Sequence, residues 1–170
     1  LERLKRKFGA DLVSAVLYGS AARGTAGPGS DIDLLVVARN LPADRWERQE
    51  IVVRLNMEME DYLEGVRGRT GWYPYLSFLL YTPEESSAFR RIYLDMVEEA
   101  RLLYDREGFF QGILERAREK MKSLGAEKVR LGGTWYSRFK ADYRHGRGFR
   151  RQAETRLRAL DLAMAEGNFA

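Results

Sequence analysis

The order of strands and helices predicted along the first hundred residues indicates an α/β or α+β fold with a mixed sheet. Two apolar, strand-like stretches flank a glycine-rich loop, a one-sided helical pattern follows, and a third, uncharged stretch precedes a further helix. This order is typical of a sheet with helices packed on it. We therefore expect the chemistry to cluster at one end of that sheet.

Each element is predicted by its own local pattern. Val and Leu enrichment marks the strands, whereas apolar residues at three- and four-residue steps mark the helices. Three glycines and a proline within residues 24–30 predict a loop. The elements predicted in chain order are a helix over 1–8, strands over 12–18 and 31–38, a helix after Pro42, a strand over 72–82, a helix over 83–100, a short apolar segment over 102–104, and a helix over 107–124.

Composition limits the size and the chemistry of the protein. A chain of 170 residues with 45% apolar content suits one domain with a core and a modest extension. The predicted division is a domain over 1–105 and a helical, basic C-terminal extension over 106–170 that packs on it. The absence of cysteine and the single histidine exclude cysteine-ligated zinc and thiolate nucleophiles. Metal chemistry must then use carboxylate oxygens, which favours magnesium, manganese or calcium.

The longest apolar stretches, such as 34–38 and 78–81, are too short to cross a membrane, because a span needs about 20 residues. Leu1 opens a charged segment and not a signal peptide. We expect a soluble, cytoplasmic protein without a membrane partner, and the sequence leaves its oligomeric state open. The absence of cysteine and the low Asn and Gln content are typical of high-temperature proteins.

Asp31 and Asp33 form the first candidate site. They begin a predicted strand two residues apart, so both carboxylates point from the same face of the sheet. Two such carboxylates repel each other unless a cation lies between them. The structural alternative is a solvent-exposed pair at a strand start, with Ser30 and Asp31 bonding to turn amides.

A second candidate site precedes the first. An apolar strand leads into Gly19 and Ser20, after which residues 21–23 can begin a helix with Ser20 as its N-cap. A helix N-terminus with free amides and a tolerant glycine favours phosphate binding. The Gly-Ser dipeptide is common in ordinary turns, so its significance depends on its coupling to the two carboxylates.

Together, residues 17–24 (LYGSAARG) and 30–34 (SDIDL) resemble the signature of minimal nucleotidyltransferases of the DNA polymerase β superfamily, which places Asp-x-Asp ten residues after Gly-Ser. The resemblance covers residues 17–37 and implies the polymerase β-type fold. It implies that Gly19 and Ser20 bind the terminal phosphates of ATP or another nucleoside triphosphate. It also implies that Asp31 and Asp33 ligate two Mg²⁺ or Mn²⁺ ions, which would stabilise the entering and leaving oxygens of an in-line displacement.

Arg23 is a candidate for nucleotide binding, because a guanidinium matches the geometry of a phosphate. A surface salt bridge is the alternative interpretation of the same residue.

The sequence departs from the family pattern at a third carboxylate. Active members carry it on a later strand beside the Asp-x-Asp strand, but the candidate strand over 72–82 contains no Asp or Glu. Ser77 falls close to the expected position. The nearest acids in sequence have a simpler interpretation as residues of a helix first turn or a solvent face, and they are Glu58, Glu60, Asp61, Glu84 and Glu85.

A basic segment lies near the end of the sequence. Residues 138–158 contain eight Arg or Lys against two acids, so the segment carries a charge of +6 and the rest of the chain is slightly acidic. Aromatic residues among these cations could stack on the bases of RNA. A basic, solvated helix edge is the commoner explanation of such a pattern.

Three functions follow as hypotheses. The first is an enzyme that moves a nucleoside monophosphate from a Mg-bound triphosphate to a hydroxyl of a protein, an RNA or a small molecule and releases pyrophosphate. The second is a catalytically weakened, nucleotide-binding regulatory protein that acts through a partner, as an antitoxin does. The third is a nucleic-acid-binding module that uses the basic segment.

Overall fold

The computed structural model describes residues 1–123, residue 125 and the backbone of 127–131 and 134–138. The chain divides into two compact units, Leu1–Met121 and Lys122–Ala170. The units divide further along the chain than the domain boundary predicted after residue 105, and that boundary stays a prediction. Most of the basic segment, from residue 139 onward, lies outside the described residues.

The first unit contains a four-stranded mixed sheet in the order β3-β2-β1-β4. Its strands are β1 (Leu12–Tyr18), β2 (Ile32–Ala38), β3 (Leu76–Tyr81) and β4 (Arg101–Asp105). Strand β1 is antiparallel to β2 and β4, whereas β2 and β3 run parallel. The mixed sheet predicted from the element order is therefore confirmed.

Six α-helices accompany the sheet in the described part of the chain. They are α1 (Glu2–Phe8), α2 (Gly19–Arg23), α3 (Arg45–Thr70), α4 (Pro83–Ser87), α5 (Ile92–Glu99) and α6 (Phe109–Ser123). The longest, α3, begins at the N-cap Asp44, whose carboxylate accepts hydrogen bonds from two backbone amides, and ends at Gly71 in the left-handed conformation. No helix in the described ranges is both long enough and apolar enough to cross a membrane.

Both faces of the sheet are buried. One face packs against α1 and α3 through a cluster that comprises Leu4, Leu12, Ala15, Val36, Val52, Leu55 and Leu80. The side chains of Val16, Leu35 and Val37 alternate with these along the strands and are also fully buried. The rings of Tyr93 on α5 and Phe110 on α6 are buried as well and meet edge to face at 5.6 Å.

The single helix predicted over 83–100 is wrong, because the structure has two helices there. In α4, the hydroxyls of Ser86 and Ser87 both donate to the carbonyl of Pro83, and the guanidinium of Arg90 donates to the carbonyl of Glu85. Side chains that bond to the backbone in this way compete with continued helix formation.

The apolar segment predicted over 102–104 is a strand of the sheet, since β4 pairs with β1. The predicted helical extension begins as a helix, α6, which belongs to the first unit. Further along, β5 (Glu127–Leu131) and β6 (Thr134–Arg138) form an antiparallel hairpin in the second unit. The β-branched and aromatic residues of this region, with a Gly-Gly pair between the strands in the sequence, favour a hairpin over a helix.

Candidate active site

Asp33 lies on β2, the strand between β1 and β3 in the sheet. It is the second residue of β2 and pairs with Tyr18 on β1 and with Ser77 on β3. Residues that are directly paired across a sheet point to the same face. The Asp33 carboxylate therefore lies between the side chains of Tyr18 and Ser77.

Gly19 lies directly against this carboxylate. A Cβ atom added at Gly19 would come within 2.3 Å of Oδ2 of Asp33. The φ angle of Gly19 is +71°, which side chains other than glycine rarely adopt. Glycine is thus required here for two reasons, the backbone conformation and the close approach of the carboxylate.

Burial raises the pKa of Asp33 above its usual range, and the negative charge of Asp31 raises it further. A hydrogen bond from the Ser77 hydroxyl and the charge of Arg23 oppose this rise. Because the rise prevails, the ionised form of Asp33 lacks full compensation within the protein. A bound cation would supply that compensation.

Asp31 is exposed and directly precedes β2. The loop before it is held by several contacts. The Ser30 hydroxyl accepts from the Gly27 amide at 3.0 Å, and the Ser30 carbonyl accepts from the Trp72 indole at 3.2 Å. The pair predicted from the Asp-x-Asp spacing is thus brought together, with Asp33 half-buried and Asp31 open to solvent.

Gly19 and Ser20 begin the short helix α2, which follows β1 without a linker. The N-cap is Tyr18, so the prediction that Ser20 caps this helix is wrong and Ser20 lies in its first turn. The helix begins at Gly19, two residues earlier than a cap at Ser20 would place its start, and no side chain caps it by a hydrogen bond. The helix ends at Gly24, whose φ angle is +73°.

Arg23 makes the salt bridge that was one of its two predicted roles. Its Nη1 donates to Oε2 of Glu99 on α5 at 3.0 Å. Its charge still reaches Asp33, whose pKa it lowers. On the other side, Arg101 on β4 donates to the carbonyl of Ala22 at 3.0 Å. These two contacts fix α2 against α5 and the sheet.

Ser77 on β3 pairs with Asp33 on β2. Its correspondence to the missing third carboxylate stays a prediction. Within the described ranges, no group of three or more Asp, Glu, His or Cys side chains is placed to hold a metal ion. Glu84 and Glu85 belong to the first turn of α4, beyond the far end of β3. There Glu85 closes a capping box with Thr82 and accepts from Arg48 at 2.7 Å. The interpretation of these two acids as first-turn residues is therefore confirmed.

Sequence reasoning missed the position of Tyr18 beside Asp33. Burial, followed by the charge of Asp33 and then by Tyr81, raises the pKa of the Tyr18 phenol above its usual range. Its place at the end of β1, one residue before Gly19, was the available signal. The pairing of Tyr18 with Asp33 could not be deduced until the register of the two strands was known.

The chain is similar to the model of a protein family, to a curated protein and to solved structures. Residues 1–70 match the model of the nucleotidyltransferase domain family. A curated protein of Methanocaldococcus jannaschii, named "Putative protein adenylyltransferase MJ1305", is 34% identical over 126 residues, which cover 73% of this chain and 80% of that protein. Two solved structures are also similar over 73% of this chain and 89% of theirs. One is a variant of the toxin–antitoxin complex MntA-HpeT, with 17% identity and a TM-score of 0.47, and the other is a toxin–antitoxin with AMP-PNP, with 19% identity and a TM-score of 0.43.

Proposed function

The chain belongs to the nucleotidyltransferase domain family, a family of enzymes, and from that premise we propose that it transfers the adenylyl group of Mg-ATP to a hydroxyl of a protein and releases pyrophosphate. The observation that carries the proposal is the contact of Gly19 with Asp33, with Asp31 two residues away. It joins a candidate phosphate-binding turn to a candidate cation-binding pair. The name of the curated relative supports adenylyl transfer and a protein acceptor.

The carboxylate pair fits a divalent cation. Asp31 and Asp33 offer hard oxygen donors, which Mg²⁺ and Mn²⁺ prefer. The raised pKa of Asp33 records the burial and the repulsion that a cation would offset. When bound, such a cation would neutralise the charge of the triphosphate and of the leaving pyrophosphate. Asp31 and Asp33 would hold it.

The phosphates would bind at the turn from β1 into α2. Gly19 has no side chain, so the Asp33 carboxylate lies directly against the backbone of this turn. The amides and the Ser20 hydroxyl at the start of α2 are suitable donors to phosphate oxygens. Arg23 adds positive charge nearby while it remains fixed by Glu99.

Ser77 favours a second candidate function, a nucleotide-binding regulatory protein with weakened catalysis that acts through a partner. Ser77 pairs with Asp33, and at this position a neutral hydroxyl would stand in place of the carboxylate that completes a cation cage and accepts the proton of the attacking hydroxyl. We expect slow catalysis and retained nucleotide binding.

The test is a calorimetric titration of Mg-ATP, and then of the other triphosphates, into wild-type protein and an Asp31→Asn/Asp33→Asn variant, with assay of pyrophosphate. A Glu58→Gln/Glu60→Gln variant is the matched control, since it removes two exposed acids from α3. Metal-dependent binding that only the Asp variant loses supports the site, and pyrophosphate release supports the enzyme. Binding without pyrophosphate, even with protein acceptors present, favours the regulatory function. No binding by the wild type would refute both.

A further inference from the structure

Tyr75 is an exposed tyrosine at the edge of the proposed site. It is the residue directly before β3, and 55% of it is exposed. Its carbonyl accepts a hydrogen bond at 2.9 Å from the amide of Ile32, the residue between the two aspartates. Tyr75 therefore extends the pairing of β3 with β2 by one residue.

The register of this pairing places Tyr75 beside Asp31. Asp33 pairs with Ser77 in the parallel register, so one step of two residues back along both strands brings Asp31 opposite Tyr75. Side chains two residues apart on a strand share a face, so Tyr75 shares the face of Ser77 and Asp33. Neighbouring strands lie about 4.8 Å apart, so the backbones of Tyr75 and Asp31 are about one strand spacing apart.

Contacts fix the backbone of the segment before β3, whereas the ring of Tyr75 is open to solvent. The indole of Trp72 donates to the carbonyl of Ser30, and Pro74 is fully buried. These contacts tie the segment before β3 to the loop that carries Asp31. The Tyr75 ring contributes little to the core because it is largely exposed, so a phenolic hydroxyl stands free beside the proposed nucleotide site.

We propose that Tyr75 is a self-modification site that accepts a nucleoside monophosphate from the triphosphate bound at its own Asp31 and Asp33. The phenolic oxygen attacks the α-phosphorus and forms an O–P bond, and the bond from that phosphorus to the bridging oxygen of the β-phosphate breaks. Pyrophosphate leaves with the electron pair, and the phenolic proton passes to water. The product is an adenylyl-tyrosine when the donor is ATP.

This inference rests on the proposed function, so its test measures nucleotide binding separately. The full chain is incubated with Mg²⁺ and ATP labelled at the α-phosphate, and the modified peptide is identified by mass spectrometry. Label is expected on Tyr75 of the wild type and should be lost in Tyr75→Phe and in Asp33→Asn. Tyr73→Phe is the matched control, because Tyr73 is also exposed but lies against Arg67 of α3. That variant should keep the label.

A mixing experiment tests whether the chain modifies itself. Wild-type protein is incubated with a tagged Asp33→Asn chain, which retains Tyr75, and only the wild-type chain should be labelled. Label on the tagged chain would overturn modification in cis. Label on other residues only, or none while Mg-ATP still binds by calorimetry, would overturn the inference and leave the proposed function standing. Absence of Mg-ATP binding would instead overturn the proposed function, and this inference with it.

Discussion

Gly19 and Gly24 bracket α2 and provide a matched pair of substitutions. Their φ angles, +71° and +73°, are nearly equal. A Cβ at Gly19 would meet Asp33 Oδ2 at 2.3 Å, whereas a Cβ at Gly24 would meet nothing within 4 Å. Alanine at either position therefore meets the same unfavourable φ angle, and only alanine at Gly19 displaces the carboxylate.

The expected losses in the free energy of unfolding and in Mg-ATP affinity follow from these contacts. A left-handed backbone costs a residue other than glycine about 1–2 kcal/mol, so Gly24→Ala should lower the free energy of unfolding by about that amount. Gly19→Ala should cost about 1 kcal/mol more, because the displaced Asp33 loses its hydrogen bond from Ser77. A misplaced ligand should also weaken Mg-ATP binding by at least about tenfold, which corresponds to about 1.4 kcal/mol.

Urea unfolding gives the two stabilities, and calorimetric titration of Mg-ATP gives the two affinities. We expect Gly24→Ala to bind Mg-ATP like the wild type despite its lower stability. If Gly19→Ala bound Mg-ATP as tightly as Gly24→Ala, the contact between Gly19 and Asp33 would have no part in the nucleotide site, and the reasoning would be refuted.

Three further predictions concern single side chains. Burial and the charge of Asp31 raise the pKa of Asp33. The stability that this carboxyl contributes is therefore present below its pKa in the unfolded chain and is lost as pH rises through its pKa in the folded chain. In urea unfolding at neutral pH, Asp33→Asn should be more stable than the wild type, and equal stability would contradict this. Thr82→Ala removes the N-cap of α4, so it should cost about 1 kcal/mol and leave calorimetric Mg-ATP affinity unchanged; a lower affinity would place α4 at the site. Ser77→Asp adds a carboxylate beside Asp33 and should tighten Mn²⁺ binding about tenfold by titration, whereas unchanged affinity would show that Ser77 does not face the ion.

The local patterns of the first seventy residues were sufficient to predict α1, β1, β2 and α3. Strands buried on both faces have continuous Val and Leu runs, and α3 shows apolar residues at helical spacing on the side that packs on the sheet. The resemblance to nucleotidyltransferases, drawn from residues 17–37, is confirmed by the family model and by the curated relative. The predictions of a cytoplasmic location and of the individual site residues stay predictions.

The errors come from contacts between residues that are distant in sequence or from side chains that bond to the backbone. The break between α4 and α5 depends on Arg90 bonding back to the carbonyl of Glu85. Strand β4 is predominantly exposed and too short to show a pattern, and it is a strand because it pairs with β1. Hydrophobic periodicity does not contain this information.

The part of the site that could be predicted is formed by elements close in sequence, and the rest depends on residues distant in sequence. The turn at Gly19 directly follows β1, and the carboxylate of Asp33 lies on β2; the two strands are neighbours in sequence and pair antiparallel. Their proximity is thus encoded in the short spacing between Gly-Ser and Asp-x-Asp. Ser77 lies on β3 and Tyr75 directly precedes that strand. Strand β3 lies beyond the 26 residues of α3 and pairs with β2 in parallel. A shift of one residue in that register would turn both side chains to the opposite face, so their place beside the carboxylates required the structure.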